Sequence, residues 1–218
     1  NIPAYRKISF RKSILDLNSL CYLIPSRVRK YIKNTFGFVT EADIGLVLDA
    51  SGFSYSDQWS SVIRIYHLHN ELCRFRRHCK NYVFLPQAFG PFKRKISCRM
   101  IANSLKHASI ICPRDSCSKN HILRVTGPLS NLRVRSDFTN LLPAARPPHD
   151  LLKTNAVCII PNANMINARN AHNEWLQRYE EILSISIAYY RQLGLKPFFL
   201  NHGGCEDISI ITQVNAKL

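Results

Sequence analysis

Residues 82–95 read Tyr-Val-Phe-Leu-Pro-Gln-Ala-Phe-Gly-Pro-Phe-Lys-Arg-Lys, and how they are read decides the fold. Tyr82 to Leu85 is a short apolar run of the kind buried on both faces of a parallel sheet. Pro86 lacks an amide donor and is expected to stop the strand, and Gly90-Pro91 marks a turn. From Lys93 to His107, Ile96, Met100, Ile101 and Leu105 recur at helical spacing. A buried strand thus delivers Gln87 to a tight loop at its carboxyl end. The next helix opens on Lys93, Arg94 and Lys95. In an open α/β sheet ligands bind at that end of the strands, and a helix amino terminus attracts anions before any side chain contributes. An ordinary strand-to-helix connection would read the same way.

The pattern repeats on either side. Ile44 to Leu48 is a second buried-strand run, and it ends in Asp49-Ala-Ser-Gly-Phe. Asp49 or Ser51 could face a ligand there, and Gly52 permits backbone geometry closed to other residues. Ser56 or Asp57 is expected to cap a helix from Trp59 to Lys80. Arg74, Arg76, Arg77 and Lys80 near its end read as a solvated basic face, favoured by the helix dipole. Ser109 to Cys112 is a third run. It leads to Arg114 and Asp115, then to a short helix from Ser116 to Val125 closed by Gly127. Leu132 to Val134 is a weaker fourth strand. Upstream, Ile14, Leu17, Cys21 and Ile24 fit one helical face, and Pro25-Ser26 opens a second helix ending near Gly37.

Between Asn140 and Lys153 the chain carries Pro143, Pro147 and Pro148 and loses periodicity, which reads as a linker. The alternation then restarts. A strand from Ala156 to Ile160 ends at Asn162, and an amphipathic helix runs from Glu174 to Leu193. A strand from Pro197 to Leu200 ends at Asn201-His202-Gly203-Gly204, and a last helix opens near Asp207, which reads as its cap. Alternating strands and helices imply mainly parallel sheets with right-handed crossovers. The expected architecture is α/β, with two Rossmann-like units over residues 1–150 and 151–218 and ligands bound between them. A two-stranded second unit leaves its sheet edge unpaired, so 1–218 is expected to be a piece of a longer protein.

Of the 218 residues, 46% are apolar and 20% charged, which describes a globular chain. The net charge of +16 is lopsided. Residues 1–150 hold 24 Lys/Arg against 9 Asp/Glu, and the rest hold 6 against 5. Such a field favours an anionic partner without choosing one. No apolar run approaches the length of a membrane span. The eight cysteines show no CxxC and no regular framework, so a reducing, cytoplasmic setting is expected. His67, His69, Cys73, His78 and Cys79 crowd one segment, but their spacing fits no standard zinc motif. No metal and no cofactor is expected.

Taken in order, Leu48-Asp-Ala-Ser-Gly-Phe-Ser-Tyr-Ser-Asp-Gln-Trp59, Leu85-Pro-Gln-Ala-Phe-Gly-Pro-Phe92, Arg114-Asp-Ser-Cys-Ser118, Asp137-Phe-Thr-Asn-Leu141 and Ile160-Pro-Asn162 resemble the polysaccharide pyruvyl transferase family. The resemblance covers about residues 40–210 and implies a GT-B-like fold, each unit here incomplete. It also implies transfer of a pyruvyl group from phosphoenolpyruvate to a sugar as a ketal. The acceptor would be a glycan or a lipid-linked saccharide, with peripheral membrane association through it. Phosphate and carboxylate must be held by cations and oriented amides, the methylene carbon protonated, and the sugar hydroxyls deprotonated.

The resemblance makes Arg114 the first anion contact, since a guanidinium grips carboxylate or phosphate bidentately; a local salt bridge to Asp115 is the plain alternative. It assigns Gln87 and Gly90 to shaping the donor pocket. Asn162 and His202, at strand ends of the second unit, are further candidates. Histidine is the residue type best suited to moving a proton under neutral conditions, which makes His202 a candidate for proton transfer; an ordinary surface-loop histidine would read the same way. The family's opening strand and turn, and its C-terminal portion, have no counterpart in residues 1–218. Two other classes fit parts of the sequence. One is a GT-B nucleotide-sugar glycosyltransferase. The other is a non-enzymatic binder of polyanions, although the charges are dispersed and form no recognised nucleic-acid module.

Overall fold

The computed structural model describes residues 4–143, 155–168 and 174–218. The chain divides into two compact units, residues 1–142 and 143–218. Most of the linker read at Asn140 to Lys153 lies outside the described residues.

The centre of the first unit is a parallel three-stranded sheet. Its strands, in chain order β5 (Leu46–Asp49), β6 (Asn81–Gln87) and β7 (Ile110–Pro113), lie side by side in that same order. Helix α2 (Val62–Arg77) joins β5 to β6, α3 (Lys95–Leu105) joins β6 to β7, and α4 (Ser116–Thr126) follows β7. Sequential order with right-handed crossovers puts the helices on one face. Tyr82, Phe84 and Ile111 on that face pack with Leu68, Leu72 and Phe75 of α2, Ile101 and Leu105 of α3 and Ile122 of α4. On the opposite face Leu46 and Leu48 of β5 are more than half exposed, whereas Val83 and Leu85 of β6 are half-buried and Cys112 of β7 is buried. Burial of the β5 run on both faces, expected from its continuous apolar residues, is therefore corrected.

Two further expectations change for physical reasons. Pro86 lies inside β6 rather than ending it. The β5 pairing has already stopped at Asp49–Phe84, and the β7 register shifts between Phe84 and Gln87, so the missing donor costs nothing there. The run from Ser13 to Ile24 is not an α-helix. It forms a small antiparallel pair, β2 (Arg11–Lys12) with β3 (Leu15–Asp16), and then a 3-10 turn over Asn18–Leu23. The Asp16 carboxylate accepts from the backbone and side-chain amides of Asn18, a local bond that competes with helix formation.

The expected helix after Pro25 is present as α1 (Ser26–Phe36), closed by Gly37 at φ +69°. Short β1 (Arg6–Lys7) pairs in parallel with β4 (Phe38–Val39). The fourth strand near Leu132 is reduced to an isolated bridge with Ile111, although Arg133 N and Arg135 N still donate to the Ile111 and Pro113 carbonyls. The α2 cap is Ser61, whose side chain accepts from Arg64 N, rather than Ser56 or Asp57.

Arg74 departs most from its reading. It is buried, not solvated, and its guanidinium donates to both Glu41 oxygens at 2.7 and 2.9 Å and to Asp16 at 3.0 Å. Burial alone would lower its pKa, but Glu41 and Asp16 hold it above its ordinary value. Lys80 donates to the Glu41 and Ala42 carbonyls, so this part of the basic face is an internal clasp.

In the second unit β8 (Ala156–Ile159) and β9 (Lys196–Phe199) pair in parallel around α5 (Glu174–Gln192), and α6 (Cys205–Asn215) follows. Tyr179, Leu183 and Ile187 of α5 form its core with Ile210 and Val214 of α6. Among the described residues no helix is long and apolar enough to cross a membrane.

Candidate functional site

The loops leaving β5, β6 and β7 at their carboxyl ends are bonded into one edge. Asp49 closes β5 and is almost wholly buried. Its carboxylate accepts from Ser51 N at 2.9 Å, Ser51 Oγ at 2.5 Å, Tyr55 OH at 2.5 Å and Tyr82 OH at 2.8 Å. Burial, and then the charge of Asp49, pushes the Tyr55 hydroxyl pKa well up; Tyr82 is raised by burial, Tyr55 and Asp49. Both phenols therefore stay protonated donors. Asp49 organises its loop from beneath, and the half-buried Ser51 and Gly52 reach the surface above it. Gly52 takes φ +73°, the region glycine enters without strain.

The β6 loop is laced to the β5 loop. Ala88 N donates to Gly52 O at 2.7 Å, Gly90 N to Tyr55 O at 2.8 Å, and Asp57 N to Pro91 O at 3.0 Å. Gln87 has no exposed surface, and its Nε2 reaches the Asp49 carbonyl at 3.4 Å. Its Oε1 finds no hydrogen-bond partner among the described residues. Gly90 sits at φ +76°, and a Cβ there would fall 2.6 Å from His121 Cβ.

Helix α4 fixes the third side. Asp115 caps it by accepting from Ser118 N at 2.6 Å, and the buried Ser118 hydroxyl accepts from Phe89 N at 3.1 Å. Gln87 O accepts from Arg114 N at 3.0 Å. The Arg114 side chain is 38% exposed and lies 3.8 Å from Asp115 and 3.4 Å from Asp137. Asp137 turns the next loop by accepting from the amide and hydroxyl of Thr139. Those bonds, and then Arg114, hold its carboxyl below the usual carboxylate range. Arg114 thus carries the expected alternative, a salt bridge to Asp115, and a second one to Asp137. Exposed pairs of this kind are weakened by solvent screening, so an anionic ligand can compete for the guanidinium.

In the second unit, Asn162 Oδ1 accepts from Asn164 N at 2.9 Å and opens a 3-10 turn. His202 is exposed beyond β9. Asp207 is buried within the first turn of α6 and clasps both strand-end loops, accepting from Ala163 N at 2.8 Å and Gly203 N at 2.6 Å. The sequence marked Asp207 as a helix cap; it binds the preceding loops rather than its own helix.

The first unit therefore brings together Asp49, Ser51, Gly52, Gln87, Gly90 and Arg114. Asn162 and His202 belong to the separately described second unit. Reading the sequence missed Tyr55, Tyr82, Ser118 and Asp137 as the residues that hold this edge in shape. All four lie in or beside the quoted segments, but nothing in their spacing reveals their partners.

Of the His and Cys residues clustered in and just after α2, Cys73 Sγ lies 3.8 Å from His69 Nε2, and the histidines turn to different neighbours. His67 Nε2 meets Ser13 O, His69 Nδ1 meets Ser104 Oγ, and His78 stacks on Tyr22. Among the described residues no three His, Cys, Asp or Glu side chains form a metal-binding group. The cysteines are free.

No curated protein and no solved structure matches the chain. The family model for polysaccharide pyruvyl transferase matches residues 2–217. With nearly its whole length inside that model, the chain belongs to the polysaccharide pyruvyl transferase family, a family of transferases acting on polysaccharide.

Proposed function

We propose that the chain transfers a pyruvyl group from phosphoenolpyruvate to two hydroxyls of a saccharide, forming a cyclic ketal and releasing phosphate. The observation carrying this reading is the laced edge at the ends of β5, β6 and β7, with the Arg114 guanidinium accessible beside the amino terminus of an 11-residue helix. A donor with a phosphate and a carboxylate needs such paired cationic and amide contacts. In this reading Arg114 binds the donor anion and stabilises charge on the departing phosphate. Ser51 and Gly52, on the loop fixed by Asp49, and the Gly90 turn shape the pocket, with buried Gln87 supporting it. Asn162 contacts substrate and His202 carries a proton, either to the donor methylene or from a sugar hydroxyl. Two Rossmann-like units of GT-B type, a cytoplasmic location and a glycan or lipid-linked acceptor belong to the same proposal.

A thermal melt tests it, run with millimolar phosphoenolpyruvate and with inorganic phosphate and UDP as controls. Ligand at 100 times its dissociation constant stabilises the folded state by about 2.7 kcal/mol. A shift specific to phosphoenolpyruvate is expected. Arg114→Ala should abolish it while leaving the ligand-free melt within about 1 kcal/mol of wild type, because only exposed ion pairs are lost. Unchanged phosphoenolpyruvate affinity in that variant removes Arg114 from the site. A shift with UDP alone favours a nucleotide-sugar glycosyltransferase instead.

A further inference from the structure

Helix α1 (Ser26–Phe36) differs from the other helices of the first unit, because none of its residues is buried. Helical periodicity places Val28, Tyr31, Ile32 and Phe36 on one arc and Arg27, Lys30 and Lys33 on another. The apolar arc is not covered. Val28 is 47% exposed, Tyr31 63% and Phe36 59%, and Leu23, just before the helix, is 77% exposed. Tyr31 and Phe36 touch edge to face at 6.3 Å, so the arc is continuous along the helix.

The helix is also held in place. Arg29 donates to the Ile24 carbonyl and pairs with Asp43 at 2.5 Å, and the Lys33 ammonium sits 4.6 Å over the Tyr5 ring. These contacts fasten one flank, while Arg27 and Lys30 on the other flank stay exposed. Residues 1–40 contain eight Lys/Arg and one acidic residue, Asp16. Asp16 pairs with Arg74 and Arg11, Glu71 with Lys7 and Arg11, and Asp43 with Arg29. Among the described residues, the cations of this stretch without an acidic partner are therefore Arg6, Lys12, Arg27, Lys30 and Lys33.

We infer that α1 and the residues leading into it lie on an anionic lipid bilayer, with the apolar arc at the headgroup–acyl boundary and the basic flank against anionic headgroups. An apolar stripe beside a cationic face, on one short helix, is the composition of an interfacial helix. Nucleic acid would neutralise the cations and leave the apolar arc in water. A bilayer surface satisfies both at one depth, and the aromatic ring of Tyr31 suits that boundary. The inference does not depend on the proposed transferase chemistry.

The test is co-sedimentation of the full chain with vesicles, either phosphatidylcholine alone or equal parts phosphatidylcholine and phosphatidylglycerol. Binding is expected to the mixed vesicles only and to weaken with salt. Val28→Ser with Phe36→Ser, and separately Arg27→Glu with Lys30→Glu, should each weaken it by about tenfold or more. All four side chains are exposed, so circular dichroism should report an unchanged fold. Absence of binding overturns the inference. So does binding that survives the serine variant, which would be charge adhesion of the whole basic chain. If the serine variant instead converts a lipid-free dimer to a monomer in sedimentation, the arc is covered by a second copy and the inference fails.

Discussion

At Gly90, backbone angle and packing act together. Its φ of +76° is strained for any L side chain, and its Cα approaches helix α4 so closely that a Cβ would overlap His121 Cβ. Gly90→Ala should destabilise the first unit by about 2 kcal/mol or more, read by urea unfolding. A second substitution, His121→Ala, should not rescue it, because alanine keeps the overlapping Cβ. Full rescue would show that the strain lies in the imidazole alone. Gln87 and Arg114 illustrate how unequally single residues were legible. Both lie at strand ends and were marked as site residues by the family resemblance. One turns out to be sealed under the loops and the other accessible, a difference that only neighbours far along the chain can set.

Between elements, two side-chain contacts join segments far apart in the chain. Ser118 ties α4 to the β6 loop through Phe89 N. Ser118→Ala should leave that buried amide unsatisfied, cost about 1–3 kcal/mol and speed hydrogen exchange at Phe89 more than at the Asp115 cap. The second contact is Arg74 on α2, which holds Glu41 and Asp16. Arg74→Met leaves Glu41 buried without its partner and should cost about 3–5 kcal/mol in urea unfolding, part of it recovered by adding Glu41→Gln. The surrounding carboxylates set an acid limit. Burial works against ionisation of Asp16, but the Asn18 bonds and Arg74 bring its pKa below the ordinary 3.8. Glu71 falls below 4.5 despite burial, through Lys7 and Arg11. The unfolded chain binds more protons across that range, so the stabilisation is present above the ordinary carboxylate values and lost as pH falls through the folded ones. Urea midpoints should drop with acid, and less steeply in Asp16→Asn.

At the scale of the molecule, each unit closes its own core. The first cluster draws its buried residues from Tyr55 to Ile122, and the second from Tyr179 to Val214. Residues 1–142 expressed alone should therefore melt cooperatively, with a midpoint near that of the corresponding transition in the full chain. A broad, non-cooperative melt would show that the first core needs the second unit. The net charge of +16 adds a long-range field, but it is the arrangement on α1, rather than the sum, that specifies a surface.

The sequence by itself determined what local spacing and turn chemistry can encode. Apolar runs alternating with helical periodicity fixed a parallel α/β chain, and turn residues such as Gly37, Gly52 and Gly90-Pro91 marked loops that form. Five segments in order carried the family resemblance, and the family model agrees. Tertiary structure alone decided which of those residues face inward. Asp49 meets Tyr82 across 33 residues, and Arg74 meets Glu41 across the same separation. It also decided that Pro86 could remain inside a strand, because both neighbouring ladders had lapsed there. Periodicity records which side of an element is apolar. Whether that side is covered depends on which distant segment folds against it, and so Leu48 and Phe36 are exposed where Phe84 is buried.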